Sequence, residues 1–359
     1  MSNERGPSDA VMEGKGAYNK HAKLPADGAA LAFPLLERAI REVELGSSDE
    51  PIVIADYGSS QGKNSLAPMQ FAISGLRKRI RPNRAISVFH IDQPSNDFNS
   101  LFEVLDADPD RYGVDDRDVY PAAIGKSFYE RVLPPGAVHL GWSSYAAVWL
   151  SRVPALIPGH FISIRSTGRV RAEFECQAAQ DWEAFLTLRA RELRPGGRLV
   201  VVLPGIADDG LSGFEPIFDQ ANRVLEEMVA DGAITSEERS RMVLRAHARR
   251  KRDLLAPFEG KKFQQLTVEE FAMSEVSDAV WDQYDRDKDK EAFTTKRALF
   301  FRSIFAPSLA CALSLVRAGD MGALSTFADQ LEQRLKRRFA SQPAAMRSVV
   351  QTILLAKKE

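Results

Sequence analysis

From Pro51 to Gly205 short β-branched runs alternate with helical stretches, and this rhythm constrains the fold more than any other feature of the chain. "PIVIAD", bounded by Pro51 and a glycine turn, reads as a buried strand. "NSLAPMQFAISGLRKRI" reads as a helix, "AISVFHID" (Ala85 to Asp92) as a second strand, and "NDFNSLFEVLDAD" as a second helix opened by Asn96 or Asp97. "DVYPAAI" and "GAVHLGWSS" are further strand candidates. A helical stretch from Arg171 to Leu193 closes at Pro195-Gly196-Gly197 before "RLVVVLPG", the most strand-like segment of all. Such a βαβα succession predicts an α/β, Rossmann-like fold, with a mostly parallel, doubly wound sheet covered by helices on both faces.

The flanks read differently. Residues 1–16 look like a loose arm, and Asp27 to Leu45 reads as one helix capped by Asp27. Phe214 to Arg252, Thr267 to Asp278 and Met321 to Phe339 read as helices of a cap laid over the sheet, and "RSVVQTILLAKKE" as a last edge strand. The expected division is a flexible arm (1–16), a ligand-binding core (17–205), a mainly helical cap (206–300) and a C-terminal return to the core (301–359).

Composition narrows the function classes. A net charge of -1 over 359 residues gives no overall attraction to nucleic acid, and the basic runs "RAHARRKRDLL" and "EQRLKRRF" read as solvated helix faces. Cys176 and Cys311 are too few for a disulfide framework and lack partners at metal-ligand spacing. The N-terminus has no apolar core of a signal peptide, and no later run approaches the ~18 apolar residues of a membrane span. A cytoplasmic protein is the expectation, with no membrane or nucleic-acid partner and with a homodimer left open.

The turn after the first strand, "VIADYGSSQGKNSL", permits two chemistries. Gly58-Ser59-Ser60-Gln61-Gly62 spells G-x-S-x-G, the pattern of a hydrolase nucleophile elbow at Ser60. That reading needs an acid, a histidine and an oxyanion loop; of the five histidines only His160 and His247 follow in plausible positions, and hydrolase elbows come later in their sheets. The alternative is a ligand seat: Asp56 at the end of the first strand, the Gly58 turn, and Asp92 at the end of the second, where a carboxylate accepts both ribose hydroxyls of a nucleoside. A dinucleotide fingerprint would need glycine at Ser60, so the expected ligand lacks a pyrophosphate, as S-adenosylmethionine (SAM) does.

Several ordered blocks then point one way. "ADYGSSQGKNSL", "DQPSNDFNSLF" and "GKSFYERVLPPGAVHLGWSSYAAVWLSRVP" resemble the corresponding blocks of the SABATH family, SAM-dependent carboxyl methyltransferases of salicylate, benzoate, jasmonate and similar small acids. Weaker likeness continues through "RPGGRLVVVLPG" and "FRSIFAPSL". The resemblance implies a class I methyltransferase fold and transfer of a methyl group from SAM to a small-molecule acceptor. Carried over by position, it implies that Tyr18, Ser59, Asn64, Asp92, Gln93, Ser127 and Phe128 surround SAM beside Asp56 and Gly58. It implies that Tyr18, Tyr145, Trp149 and Phe214 line the acceptor pocket.

The departures concern the acceptor. A glutamine that tethers the substrate carboxylate in plant members is Pro25 here, the serine before it is Ala22, and a histidine before the pocket tryptophan is Val148. The stretch "LAPFEGKKF" lacks the amide that marks a rim metal in some members, so no metal is expected, with His160 and Glu259 as the only arguable replacements. No catalytic acid or base is expected either: a carboxylate of reference pKa ~4 is already ionised at neutral pH. The rivals are methylation of another small molecule at nitrogen or oxygen on the same fold, and the Ser60 hydrolase.

Overall fold

The computed structural model describes residues 12–46, 49–314 and 321–358. The predicted strands pair into one sheet. Its members are β1 (Ile52–Tyr57), β2 (Ile86–Asp92), β3 (Val119–Gly125), β4 (Val138–Ser144), β5 (Leu193–Ile206), β6 (Arg249–Arg250), β7 (Leu266–Val276) and β8 (Ser348–Lys357). The order is β3-β2-β1-β4-β5-β8-β7, with the short β6 beside β5. Strands β3 to β5 along this path run parallel, and β8 is antiparallel to both β5 and β7. The path steps from β1 outward to β2 and β3, then returns to place β4 on the other side of β1. That reversal opens a crevice beyond the C-terminal ends of β1, β2 and β4, which is where open α/β sheets bind ligands.

The helices are α1 (Ala17–His21), α2 (Lys23–Ala30), α3 (Phe33–Glu42), α4 (Lys63–Arg77), α5 (Phe98–Ala107), α6 (Gly168–Glu192), α7 (Glu215–Ala230), α8 (Ser236–Arg241), α9 (Lys251–Leu255), α10 (Ala279–Asp287), α11 (Lys290–Ser314) and α12 (Met321–Ser341). One face of the sheet packs Ile52, Ile54 and Trp142 against Leu36 and Ala39 of α3 and Met69 of α4. On the other face Tyr57, Leu199 and Val201 meet Trp182, Phe185 and Leu186 of α6. Alternation along β1 thus serves both layers. A third core, containing Phe161, Phe218, Leu225, Phe301, Phe305 and Leu331, joins α7, α11 and α12 into a helical layer.

Two expectations are corrected. Thr267 to Asp278 is not a cap helix: it forms β7, an edge strand paired with β8 from Leu266↔Lys357 to Val276↔Ser348. Its Glu, Met and Ala residues favour helix, but ladder pairing overrides such a weak preference. Asp27 to Leu45 is not one helix either. Asp27 lies inside α2, and the chain turns at Leu31 and Ala32 before α3 begins with Pro34 in its first turn. Proline has no N–H to extend a preceding helix but is well suited to starting one. Asp97 opens α5, its carboxylate accepting the Ser100 amide at 3.1 Å. The arm expected over 1–16 lies outside the described residues as far as residue 11. Beyond it, the Glu13 amide donates to Ser303 O and the Lys15 amide to Asp97 Oδ2.

The helical layer is tied to the sheet by one buried carboxylate. Asp278 Oδ1 caps α10 by accepting the Trp281 amide at 3.1 Å, while Oδ2 accepts the Met346 amide at 2.7 Å and pairs with Arg297 of α11 at 2.6 Å. Arg297 is 3% exposed, so deleting its partner would strand a buried charge. Asp278→Ala is expected to cost ~3–5 kcal/mol of stability, read as a shift of the urea midpoint.

Candidate active site

The turn after β1 builds the site floor. Gly58 has φ 93°, and a Cβ there would lie 2.1 Å from that of Ala146, so no other residue brings the backbone this close to the loop after β4. The Gly58 and Ser59 amides donate to Ile91 O, and the Ser60 amide donates to Asp92 Oδ2 at 2.7 Å. Asp92 Oδ1 accepts the Gln93 amide at 2.8 Å. Burial, opposed by these two amides and reinforced by the charge of Asp56, pushes Asp92 up to about 6.

A cavity of about 960 Å³ opens beyond these strand ends. Of the nine residues implied for the cofactor, Tyr18, Gly58, Asp92, Gln93, Ser127 and Phe128 line it. Asp56, Ser59 and Asn64 line instead a small adjoining space of about 20 Å³, which Tyr18 and Gly58 also border. The Asp56 carboxylate is engaged inside the fold: Oδ2 accepts the Ser65 hydroxyl at 2.5 Å and lies 3.0 Å from Nδ1 of His90, whose Nε2 is 2.6 Å from the Tyr112 hydroxyl. Asp56 therefore braces the turn from below. Asn64 donates to Ala22 O at 3.1 Å, fixing the α1–α2 junction over the same turn.

A second cavity, of about 110 Å³, meets the first at Met12, Tyr18, Tyr145 and Trp149. Its wall is apolar and, among the described residues, holds no ionised side chain: Pro25, Val148, Ile164, Phe214, Phe218 and Phe305 are characteristic. The hydroxyls of Ser163 and Ser212 there are satisfied within the fold, by Ala246 O and by Glu215. All four implied acceptor residues line it. Tyr145, with φ 56°, packs its hydroxyl against Gly28, where a Cβ would come within 2.0 Å. Trp149 is tilted against Phe305 at 6.5 Å. Burial, opposed by hydrogen bonding with Asn64, pushes Tyr18 up to about 12, so its phenol stays protonated at the shared mouth.

Sequence reading missed the contributions of α11. Phe300, Ile304 and Phe305 complete the small cavity, but that helix is apolar on many sides and offers no single face to read. It also missed Gln61, whose amide nitrogen donates to Glu13 O at 2.6 Å, and Arg245 at the far end of the large cavity. The run "RAHARRKR" is no solvated helix face: Arg249 is 2% exposed and donates to Ala147 O and Ala178 O.

No base serves Ser60. Its φ of 48° is the backward bend of an elbow, yet its hydroxyl is buried without a hydrogen-bond partner among the described residues. The Nδ1 of His247 lies 3.0 Å from the Ser163 hydroxyl, and His160 Nδ1 accepts the Phe161 amide. The hydrolase reading fails for want of a histidine at the turn. Among the described residues no group of three or more His, Cys, Asp or Glu could hold a metal. Glu259 is exposed, and His160 Nε2 faces Asp219 at 3.5 Å. Among the described residues, no helix is long and apolar enough to cross a membrane.

Comparison with known proteins decides the kinship. A family model for SAM dependent carboxyl methyltransferases matches residues 9–358. The chain belongs to this family, the SABATH family. The methyltransferase LUC1 of Fusarium sp is 31% identical over 235 residues, covering 63% of this chain and 60% of that one. The salicylate carboxymethyltransferase of Clarkia breweri is 29% identical over 241 residues, covering 63% of this chain and 65% of that one. The matched stretches thus span less than two thirds of these relatives' own lengths. A solved structure of a loganic acid methyltransferase with SAH shares the fold at a TM-score of 0.75 and 22% identity, covering 97% and 99% of the two chains.

Phe214 is both wall and anchor: it lines the small cavity, is 8% exposed, and stacks on Phe218 at 5.8 Å and Phe300 at 6.5 Å. Phe214→Ala is expected to cost ~3–5 kcal/mol in urea denaturation and, if the small cavity takes an acceptor, to shift the ranking of acceptors toward bulkier ones. Destabilisation with an unchanged ranking of acceptors would limit Phe214 to packing.

Proposed function

We propose that this SABATH family member is a SAM-dependent methyltransferase that esterifies the carboxylate of a small acid with an apolar body. The observation that carries this reading is the shared mouth at Tyr18, Tyr145 and Trp149, where a polar cavity holding Asp92 meets an apolar one holding Phe214. A nucleoside-bearing cofactor on one side and an organic acid on the other would bring their reacting ends together there.

The residues of the large cavity suit SAM. Ser59 Oγ, Ser60 Oγ and Gln61 Oε1 are buried polar atoms with no partner among the described residues, gathered at the turn where a polar ligand would satisfy them. Asp92 would accept the ribose hydroxyls, Ser127 and Phe128 would meet the purine by polar contact and aromatic face, and Tyr18 would stand near the sulfonium. SAM supplies an electrophilic methyl group on a positively charged sulfur. The rest is positioning. The acceptor carboxylate is ionised without help, so the chain needs no general base, and Tyr18 is held in its protonated form. Trp149, Tyr145 and the aromatic residues of the helical layer would exclude water and hold the carboxylate oxygen in line, an effect worth up to ~7–11 kcal/mol.

In this reading residues 17–205 act as the SAM-binding core, the helical segments within 206–300 as the specificity cap while β7 belongs to the sheet, and 301–359 as the return that closes both. With Pro25 and Val148 in place of polar tethers and no ionised group in the small cavity, monocarboxylates with aromatic or alkyl bodies should outperform dicarboxylates. Cys176 and Cys311 are not joined in a disulfide, which suits the reducing cytoplasm.

Calorimetry tests the cofactor half. Asp92→Ala should lose ~1.5–3 kcal/mol of SAM affinity, the range for hydrogen bonds to a charged group. An unchanged affinity would remove Asp92 from the site. The pH dependence has a definite sign. With its pKa raised to about 6, Asp92 is progressively protonated as pH falls through that value and loses an acceptor, so SAM affinity should decline below about 6 and be flat above it. In Asp92→Ala that inflection should vanish. A panel of acids incubated with SAM and followed by mass spectrometry tests the acceptor half, and no methyl ester from any apolar monocarboxylate would refute it.

A further inference from the structure

The residues that meet the purine in the reading above lie on a loop with no regular structure, residues 126–137 between β3 and β4. Ser127, Phe128, Tyr129 and Glu130 all line the large cavity from it. A loop held only by its own turns would place an aromatic wall poorly. This one is gripped from behind by a charged pair on α6 that the reaction itself does not use.

Arg189 is 0% exposed and Glu192 1%. The guanidinium donates from Nη1 to Phe128 O at 2.7 Å and from Nη2 to Glu130 O at 3.3 Å. It also pairs with the Glu192 carboxylate at 3.0 Å. Glu192 Oε1 accepts the amides of Val132 at 3.0 Å and Leu133 at 3.3 Å, so acid and base together hold both ends of the segment that carries Phe128. The opposite wall is tied in as well. Glu192 Oε2 accepts the Tyr57 hydroxyl at 2.9 Å, and the guanidinium carbon lies 4.1 Å from the centre of the Tyr57 ring. Tyr57 directly precedes Gly58. A buried ion pair gains little stability once its desolvation is counted, so its value lies in the geometry it fixes.

We propose that Arg189 is a positioning residue for cofactor binding: with Glu192 and Tyr57 it locks the loop bearing Ser127 and Phe128 to the end of β1, setting the width of the purine slot. This rests on the SAM reading above. Arginine is required because one planar fork reaches Phe128 O, Glu130 O and Glu192 together, whereas the single ammonium of lysine cannot.

The test uses the full chain and S-adenosylhomocysteine (SAH) as the calorimetric ligand, with S-inosylhomocysteine, which carries an oxo group for the purine amine, as comparator. Arg189→Lys should weaken SAH ~10-fold and reduce the preference for SAH over the inosine analogue several-fold, the response expected when a slot loosens around one ring. The acceptor KM at saturating SAM should change less than the SAH affinity, since no residue of 126–137 lines the small cavity and the loop reaches it only through the Tyr129 hydroxyl on Trp149 O. A purely structural role would lower the melting temperature and leave both the affinity and the purine preference of the folded fraction as in the parent; that result overturns the proposal. Should Arg189→Lys fail to fold, Glu192→Gln and Tyr57→Phe, which conserve volume, carry the same readouts, and parental purine preference in both overturns it. A parent protein that binds no SAH rejects the SAM reading itself. A parent that binds SAH while the variants match it rejects only the clamp.

Discussion

Everything in the site hangs on the backbone of residues 58–60 folding against the end of β2. The Gly58 and Ser59 amides reach Ile91 O, and the Ser60 amide reaches the Asp92 carboxylate. Those bonds need a positive φ at Gly58 and again at Ser60, and they need no side chain at residue 58, because Ala146 occupies that space. The turn in turn requires β1 to lie between β2 and β4, since its partners come from both neighbours. Sheet order, glycine and carboxylate are thus one constraint seen at three scales, and the crevice at the strand reversal is its outcome.

The polar and apolar halves of the site follow from which elements face that crevice. Strand ends and turns supply amides, hydroxyls and Asp92 to the large cavity, while α7, α11 and the segment 162–164 supply aromatic and aliphatic side chains to the small one. Tyr18, Tyr145 and Trp149 belong to both because the loop after β4 and α1 meet between them. Buried polar groups outside the two main cavities do mechanical work: Asp56 with His90 and Tyr112 beneath the turn, Arg189 with Glu192 against the loop 126–137, Asp278 with Arg297 between helical layer and sheet. Each is paired, as burial of a charge requires.

The parallel core was legible because β1 and β5 are buried along most of their length on both faces and read as apolar β-branched runs, while β2 alternates buried with half-buried residues, all set between helical periods. That Asp92, Gly58 and Phe128 share one cavity was legible because each sits in a local motif. What was lost is non-local. β7 is an edge strand whose residues are largely half-exposed, so it lacks a buried strand's signature, and Glu270, Met273 and Glu275 favour helix until β8 pairs with them. The break between α2 and α3 is a proline effect that Pro34 announces, but the apolar spacing on either side conceals it. The wall of the small apolar cavity draws on Pro25, Ile164, Phe214 and Phe305, which only the tertiary fold assembles, and the Arg189 network joins groups up to 135 residues apart, as between Tyr57 and Glu192.

The central claim is that the carboxylate oxygen of an apolar acid receives the methyl group without a general base. It is tested most directly by incubating the chain with SAM carrying a trideuterated methyl group and an accepted acid, then treating the labelled product with mild alkali. The account predicts that alkali releases the label as trideuteromethanol and regenerates the unlabelled acid, as only a methyl ester does. A label that survives alkali, on a hydroxyl or ring nitrogen of the same compound, would contradict it.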